Sequence, residues 1–336
     1  MTPANGGHGT GVPSSSTCRW SGRAIRIALT IGVTWLILDR VGVSLEELFA
    51  LDVAMPTPRP WVLGASILLL LIGFFVSARL WGRMAGELGG RDPGAAVSLR
   101  IWMSANLGRY VPGKVWQMAG LAVLSRRIGL SATVAATSGV VGQVFALAAA
   151  GLIGVPVLVA SRGNTGRAGG VLLFALAILI VLASIPAVIR GVLAVLFRMA
   201  RIPTEHVPRP GPFFGPRWLL LYLANWAIYG TAFVVFMVGL GLEGTPVGLA
   251  ASFAAAYLLG YAAVFAPAGL GVREGFLILF LTPHVGAAAA GASVLARVWM
   301  TLVEVVPAGA LAVWEVFRGD ARIGDGVQRG GDEPES

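Results

Sequence analysis

The chain has 336 residues, 56% of them hydrophobic and 12% charged, with a mean hydropathy of +0.80. That balance excludes an ordinary soluble domain and reads as a polytopic membrane protein; at roughly 20 apolar residues per crossing there is room for about six to eight passes. The net charge of +9 sits mostly between apolar runs, where it is a topology signal and an attraction for anionic lipid headgroups rather than for nucleic acid.

Residues 1–18 are rich in Gly, Ser, Pro and Thr and are expected to form a disordered tail. Their lone Cys18 allows neither an intrachain disulfide nor a cysteine metal site. A single transmembrane domain is expected over 19–318, with 319–336 as a second disordered tail. The first span is placed at about 24–41, followed by a net acidic loop, and the second at about 61–78, ending in Arg79, Arg83 and Arg91. The stretch 95–127 is too polar for an ordinary span and is broken at Pro112-Gly113. Further spans are placed at about 131–158, with Gln143 inside, and at about 170–189, with Pro186 as a kink. An amphipathic tail reaches Arg201, and a fifth span covers about 218–240. A second broken stretch follows at about 247–282, and the sixth span, about 286–316, carries Arg297 and Glu304. The basic loops fit an orientation with both termini cytoplasmic in an inner or plasma membrane, Arg162 and Arg167 being the exceptions.

Two halves, about 60–158 and 217–316, lie over each other. Trp61 stands 51 positions before Pro112, and Trp218 stands 49 before Pro267. Each half reads as one span, a broken pair of helical segments that returns to its starting side, and a second span. One span separates the halves, so the second begins on the opposite face. The expected fold is therefore all-α, with about six full spans, two re-entrant broken-helix hairpins and an inverted-topology repeat, a transporter-like arrangement.

Breaks inside apolar segments are costly unless their backbone is buried in protein or lines a wet cavity. The first break lies in NLGRYVPGKVWQ (Asn106 to Gln117), which holds Arg109, Tyr110, Lys114 and Gln117 around Pro112-Gly113; Lys114 is the only lysine in the chain. A helix that restarts after a break presents free N–H groups and the positive end of its dipole. With Arg as a planar fork and Lys as a point charge, such a stretch suits a phosphate or phosphodiester headgroup. Tyr110 and Trp116 are of types more often found as interfacial anchors than as ligands, and the two cations could simply snorkel. The second break, APAGLGVREG (Ala266 to Gly275), has Pro267, Gly269 and Gly271 as breakers and Arg273-Glu274 as its charged pair. Arg297 and Glu304, seven apart, share a helix face. The pairs expected are Glu274 with Arg297 and Arg273 with Glu304, as structural charges or as proton-coupling groups. The chain shows no His/Asp/Glu metal spacing, no GxSxG elbow and no P-loop, so no catalytic residue, metal or cofactor is assigned.

The run Arg109-Tyr-x-Pro-Gly-Lys-x-Trp-Gln117, with Pro267, Gly269, Gly271, Arg273 and Glu274 in the second half, resembles the lysylphosphatidylglycerol synthase transmembrane-domain family, over about residues 20–318. The resemblance implies a flippase-like membrane protein that handles lipid-linked headgroups, and it implies relatives that act in dolichol-linked glycosylation. Two-domain members join such a membrane part to a cytoplasmic synthase domain. This chain stops soon after its last span, so that domain, and lipid aminoacylation, are not expected. The expected function is translocation of a lipid with a phosphate-containing headgroup, an anionic phospholipid or a polyprenyl-linked glycan. Arg109, Lys114, Tyr110, Gln117 and Arg273 are expected to bind it. The alternatives are a membrane transferase or accessory subunit acting on polyprenyl-phosphate sugars, with Glu274 as its base, or a scaffold for cell-envelope biosynthesis proteins.

Overall fold

The computed structural model describes residues 56–89, 91–110, 116–160, 186–199, 211–262 and 271–327, all within one compact unit, Val43–Ser336. Among the described residues every regular element is helical. In chain order these are α1 (Pro60–Gly89), α2 (Ala95–Asn106), a 3-10 turn (Leu107–Tyr110), α3 (Trp116–Arg126), α4 (Ala132–Ala160), α5 (Pro186–Met199), α6 (Phe214–Gly239), α7 (Pro246–Ala262), α8 (Val272–Val285) and α9 (Ala288–Val327). Hydrocarbon offers no partner to a backbone N–H or C=O, so apolar runs of this length close their hydrogen bonds internally as helices.

Among the described residues four helices are long and apolar enough to cross a membrane: α1, α4, α6 and the Ala288–Leu311 part of α9. Their outward faces are apolar, with Leu68 and Phe75 on α1, Leu220 on α6, and Leu302 and Val306 on α9 all exposed. The span expected at 24–41 lies outside the described residues, as does most of the one at 170–189. Pro186 is the first residue of α5, where its missing N–H costs nothing. Helix α5 buries Ile189, Leu193 and Phe197, four apart, and packs on α4 and α6. At the other end, α9 continues to Val327, into the stretch expected as a polar tail.

The order within each half is long, short, short, long: α1 to α4, then α6 to α9. Helices α2 and α3 occupy the first broken stretch, α7 and α8 the second. Glycines with positive φ stand at matching turns, Gly94 before α2 and Gly241 before α7, then Gly129 before α4 and Gly286 before α9. Packing repeats in the same way. The short helices pack on each other in both halves, α4 packs on α7 as α9 packs on α2, and α4 packs on α6 as α9 packs on α1. The leading helices α1 and α6 form the most extensive contact and run antiparallel. The Arg59 N–H donates to Gly239 O at 2.8 Å, Ser77 meets Tyr229 in mid-helix, and Arg217 pairs with Glu87 at the far end. Small residues permit these approaches, as membrane helix packing requires. A Cβ on Gly154 would lie 3.0 Å from the Ala255 backbone, and one on Gly73 2.8 Å from the Tyr229 ring.

Candidate functional site

Between the two halves lies a cavity of about 140 Å³. That is roughly ten times the space one water needs. Its wall draws on α1, α2, the 3-10 turn, α3, α4, α6, α7, α8 and α9, so both broken stretches reach it. From the first come Asn106, Arg109 and Gln117; from the second comes Arg273.

Helix α2 ends at Asn106, and the chain tightens into the 3-10 turn that carries Arg109. Gly108 in that turn sits against the start of α3, where a Cβ would come within 2.8 Å of the Trp116 carbonyl carbon. This closeness lets the buried Asn106 Oδ1 accept from Gln117 Nε2 at 3.2 Å and from Arg109 Nη1 at 3.5 Å. The same guanidinium nitrogen lies 2.9 Å from Glu304 Oε1, whose side chain is 1% exposed. Arg109 is thus tied across the two halves, to α9.

On the other side Gly271, at φ 78°, turns the chain into α8. Its N–H donates to Glu274 Oε2 at 2.7 Å, the capping-box contact that satisfies an otherwise unpaired N–H before the first turn. The other oxygen of Glu274 is ion-paired with Arg297. Ser293 Oγ reaches the Glu274 carbonyl at 3.2 Å, so α9 clamps the start of α8. Arg273, on the opposite side of that turn, lies over the Phe253 and Tyr257 rings at 5.1 and 5.7 Å, and its Nη2 contacts Met300 Sδ at 2.6 Å. A Cβ on Gly260 would be 2.7 Å from Arg273 Cβ, so glycine is what lets α7 and α8 meet there.

The Glu274–Arg297 pair forms as the sequence suggests. The expected Arg273–Glu304 pair does not form, because Glu304 is taken by Arg109. Arg273 is held by aromatic faces instead, and among the described residues no carboxylate stands within ion-pairing distance of it. Tyr110 closes the 3-10 turn, and Trp116 is half exposed at the start of α3. Lys114, Pro112, Gly113, Pro267 and Gly269 lie outside the described residues. No group of His, Cys, Asp and Glu that could hold a metal is found among the described residues.

Other wall residues escape a reading by motif. Helix α6 contributes Tyr222, Asn225, Trp226 and Tyr229, spaced i, i+3, i+4 and i+7, which is one helix face. Helix α7 adds Tyr257 and Tyr261, one turn apart, and α1 adds Ser77. Asn225 Nδ2 donates to Ser77 Oγ at 2.7 Å, and Ser77 Oγ is 2.9 Å from the Tyr229 hydroxyl. Gln143 of α4 reaches the Tyr257 hydroxyl at 3.4 Å. The periodic YLANWAIY run (222–229) was the available signal.

Fold and cavity together define a polytopic helical membrane protein with a polar, cation-bearing chamber among its helices. The chain belongs to the family described as lysylphosphatidylglycerol synthase TM region, whose model matches residues 23–309. Membership places it among membrane proteins of lipid-related processes. No curated protein and no solved structure matches the chain.

Proposed function

We propose that this protein translocates a lipid with a phosphate-containing headgroup, drawing the head through the cavity while the acyl or prenyl tails stay in lipid. The observation that carries the reading is Arg273. It is a guanidinium at the wall of a chamber inside a membrane protein, without a carboxylate partner among the described residues. An unneutralised charge at membrane depth is costly and marks a substrate or ion path. A phosphate is the counter-charge whose geometry suits an arginine fork.

The fold supports the reading through its repeat. Matching helix orders, matching glycine turns and antiparallel leading helices are what an inverted duplication produces. Two such halves can expose a shared site to either side in turn. We place the protein in the plasma membrane with both termini cytoplasmic, from the distribution of arginine in its loops. The transferase alternative would use Glu274 as base, yet both oxygens of that carboxylate are engaged, one by Arg297 and one by the Gly271 N–H.

The test is headgroup accessibility in proteoliposomes holding headgroup-labelled anionic phospholipids or polyprenyl-phosphate sugars. Wild type is expected to move at least one of them across the bilayer, and Arg273→Gln to slow that transfer at least tenfold while unfolding at the same temperature. Equal rates for the two proteins, or no transfer of any lipid by folded protein, would overturn the proposal.

A further inference from the structure

Two features of the cavity wall, its charge and its hydrogen-bonding sense, bear on which headgroup it suits. Two of its described residues are cations, Arg109 and Arg273, and none is a carboxylate. Glu304, which stands behind Arg109, is committed to that arginine at 2.9 Å. Among the described residues the chamber therefore carries an excess of positive charge, centred on Arg273. An anion relieves it, whereas an ammonium brought into the same small volume adds like-charge repulsion that solvent screens poorly.

The second feature is Asn225. It is 2% exposed, its Nδ2 donates to Ser77 Oγ, and among the described residues its Oδ1 has no hydrogen-bond partner. A buried amide oxygen left unpaired is penalised, so a ligand that brings a donor gains there. Phosphate oxygens and ester carbonyls are acceptors only and cannot supply it; a hydroxyl can. Beside Asn225, Trp226 and Tyr257 meet edge to face at 4.9 Å and offer ring faces, whose negative quadrupole suits the C–H bonds of a polyol.

We infer that the cavity takes a phosphodiester headgroup whose second substituent is neutral and hydroxyl-bearing (glycerol, inositol or a sugar), with Asn225 as a specificity-determining residue, and that it discriminates against an aminoacylated, cationic headgroup. This rests on reading the cavity as the headgroup site, though not on translocation itself.

Binding to the full-length protein in detergent tests it, with short-chain lipids that differ only in the head: dihexanoyl phosphatidylglycerol, dihexanoyl phosphatidylmethanol and dihexanoyl lysyl-phosphatidylglycerol. Free glycerophosphoglycerol separates a lipid head from a soluble phosphodiester. Phosphatidylglycerol is expected to bind about five- to tenfold more tightly than phosphatidylmethanol, the scale of one satisfied buried acceptor, and the lysyl lipid more weakly than either. In Asn225→Ala the advantage of phosphatidylglycerol should vanish while phosphatidylmethanol binding stays unchanged. Equal affinity for phosphatidylglycerol and phosphatidylmethanol in wild type overturns the hydroxyl preference, even if the variant does not fold. Lysyl lipid binding as tight as phosphatidylglycerol overturns the charge preference. An equal loss for both anionic lipids in Asn225→Ala overturns the role of Asn225. Tight binding of free glycerophosphoglycerol keeps the chemistry and overturns a lipid source. A headgroup preference without transfer in proteoliposomes sinks translocation and leaves this inference standing; transfer with no preference does the reverse.

Discussion

The Arg109–Glu304 pair joins the 3-10 turn of the first half to the last helix of the second, and a double-mutant cycle measures what it holds together. Glu304 is 1% exposed and Arg109 23%, with 2.9 Å between Nη1 and Oε1. Removing one partner of a buried pair costs about 3–5 kcal/mol, mainly because the remaining charge loses the counter-charge at that contact. The residual exposure of Arg109 lets solvent take up part of that loss, so each single variant, Arg109→Gln or Glu304→Gln, is expected near the lower end, about 3 kcal/mol. That is a change of roughly a hundredfold in the unfolding equilibrium. Removing both charges leaves neither half of the pair facing a missing counter-charge, so the double variant should cost no more than either single one. The interaction term is then about 3 kcal/mol. Reversible unfolding in mixed micelles, followed by far-UV circular dichroism, gives all four stabilities. A double variant that costs the sum of the two singles would show that these groups do not feel each other in the folded protein, and would refute the assignment of the pair.

Glu274→Ala removes both the cap on the Gly271 N–H and the partner of Arg297, whereas Glu274→Gln keeps an acceptor for the cap; the alanine variant should be about 1 kcal/mol less stable than the glutamine variant in the same unfolding assay. Gly260→Ala should cost about 1–3 kcal/mol, because the new methyl would come within 2.7 Å of Arg273 Cβ and 3.2 Å of its Cα, and it should weaken headgroup binding by displacing that arginine. The methyl of Gly64→Ala would meet nothing within 4 Å among the described residues, so in the same assay it should be neutral or stabilising by up to about 1 kcal/mol. Outside the spans, the bidentate hydrogen bonds from Arg79, at 2.8 and 2.6 Å, hold the Asp92 carboxyl below the usual carboxylate range. A depressed carboxyl contributes stability above its unfolded pKa and loses it as pH falls through the folded value. The advantage of wild type over Asp92→Asn should therefore shrink in acid below about pH 4. It should be under about 1 kcal/mol at neutral pH because the aspartate is 41% exposed, as paired pH-dependent unfolding curves would show.

The long helices were legible because lipid-facing and core-facing residues are both apolar, which leaves an unbroken run such as Ile67 to Val76 in α1. The paired short helices were legible for the opposite reason: Arg100, Asn106 and Arg109 interrupt the run, and 95–127 holds α2 and α3 almost to the residue. The Glu274–Arg297 pair followed from a carboxylate beside a break and an arginine on the next helix. Its companion did not. The seven-residue spacing places Arg297 and Glu304 on one face of α9, which suggested that both serve the second break. Seven residues of helix is about 10 Å of rise, however, enough to carry Glu304 past α8 and up to the turn of the other half. Which half lies there is a tertiary fact. The polar face of α6 was hidden by averaging. Tyr and Trp are only weakly polar, and Asn225 alone does not pull a 26-residue apolar helix below the level of an ordinary span, although the i, i+3, i+4, i+7 pattern is present.

The charges around the cavity bear on what fills it. Among the described residues three arginines and two glutamates converge there, and the two carboxylates are paired with Arg109 and Arg297. The third arginine is left with ring faces and a thioether. Cation–π contacts contribute about 0.5–2 kcal/mol, whereas withdrawing a guanidinium from water costs several. The shortfall has to be met inside the chamber. Water can meet part of it, and a cavity of about 140 Å³ has room for several molecules. An anion meets it better, because it neutralises the charge as well as solvating it. The same reasoning explains why glycine stands at 260: without a side chain there, α7 comes close enough for Phe253 and Tyr257 to reach the guanidinium. Exchange of water for a phosphate would then release ordered solvent and satisfy Arg273 together, and the surrounding helices would need no new contact to favour the bound state.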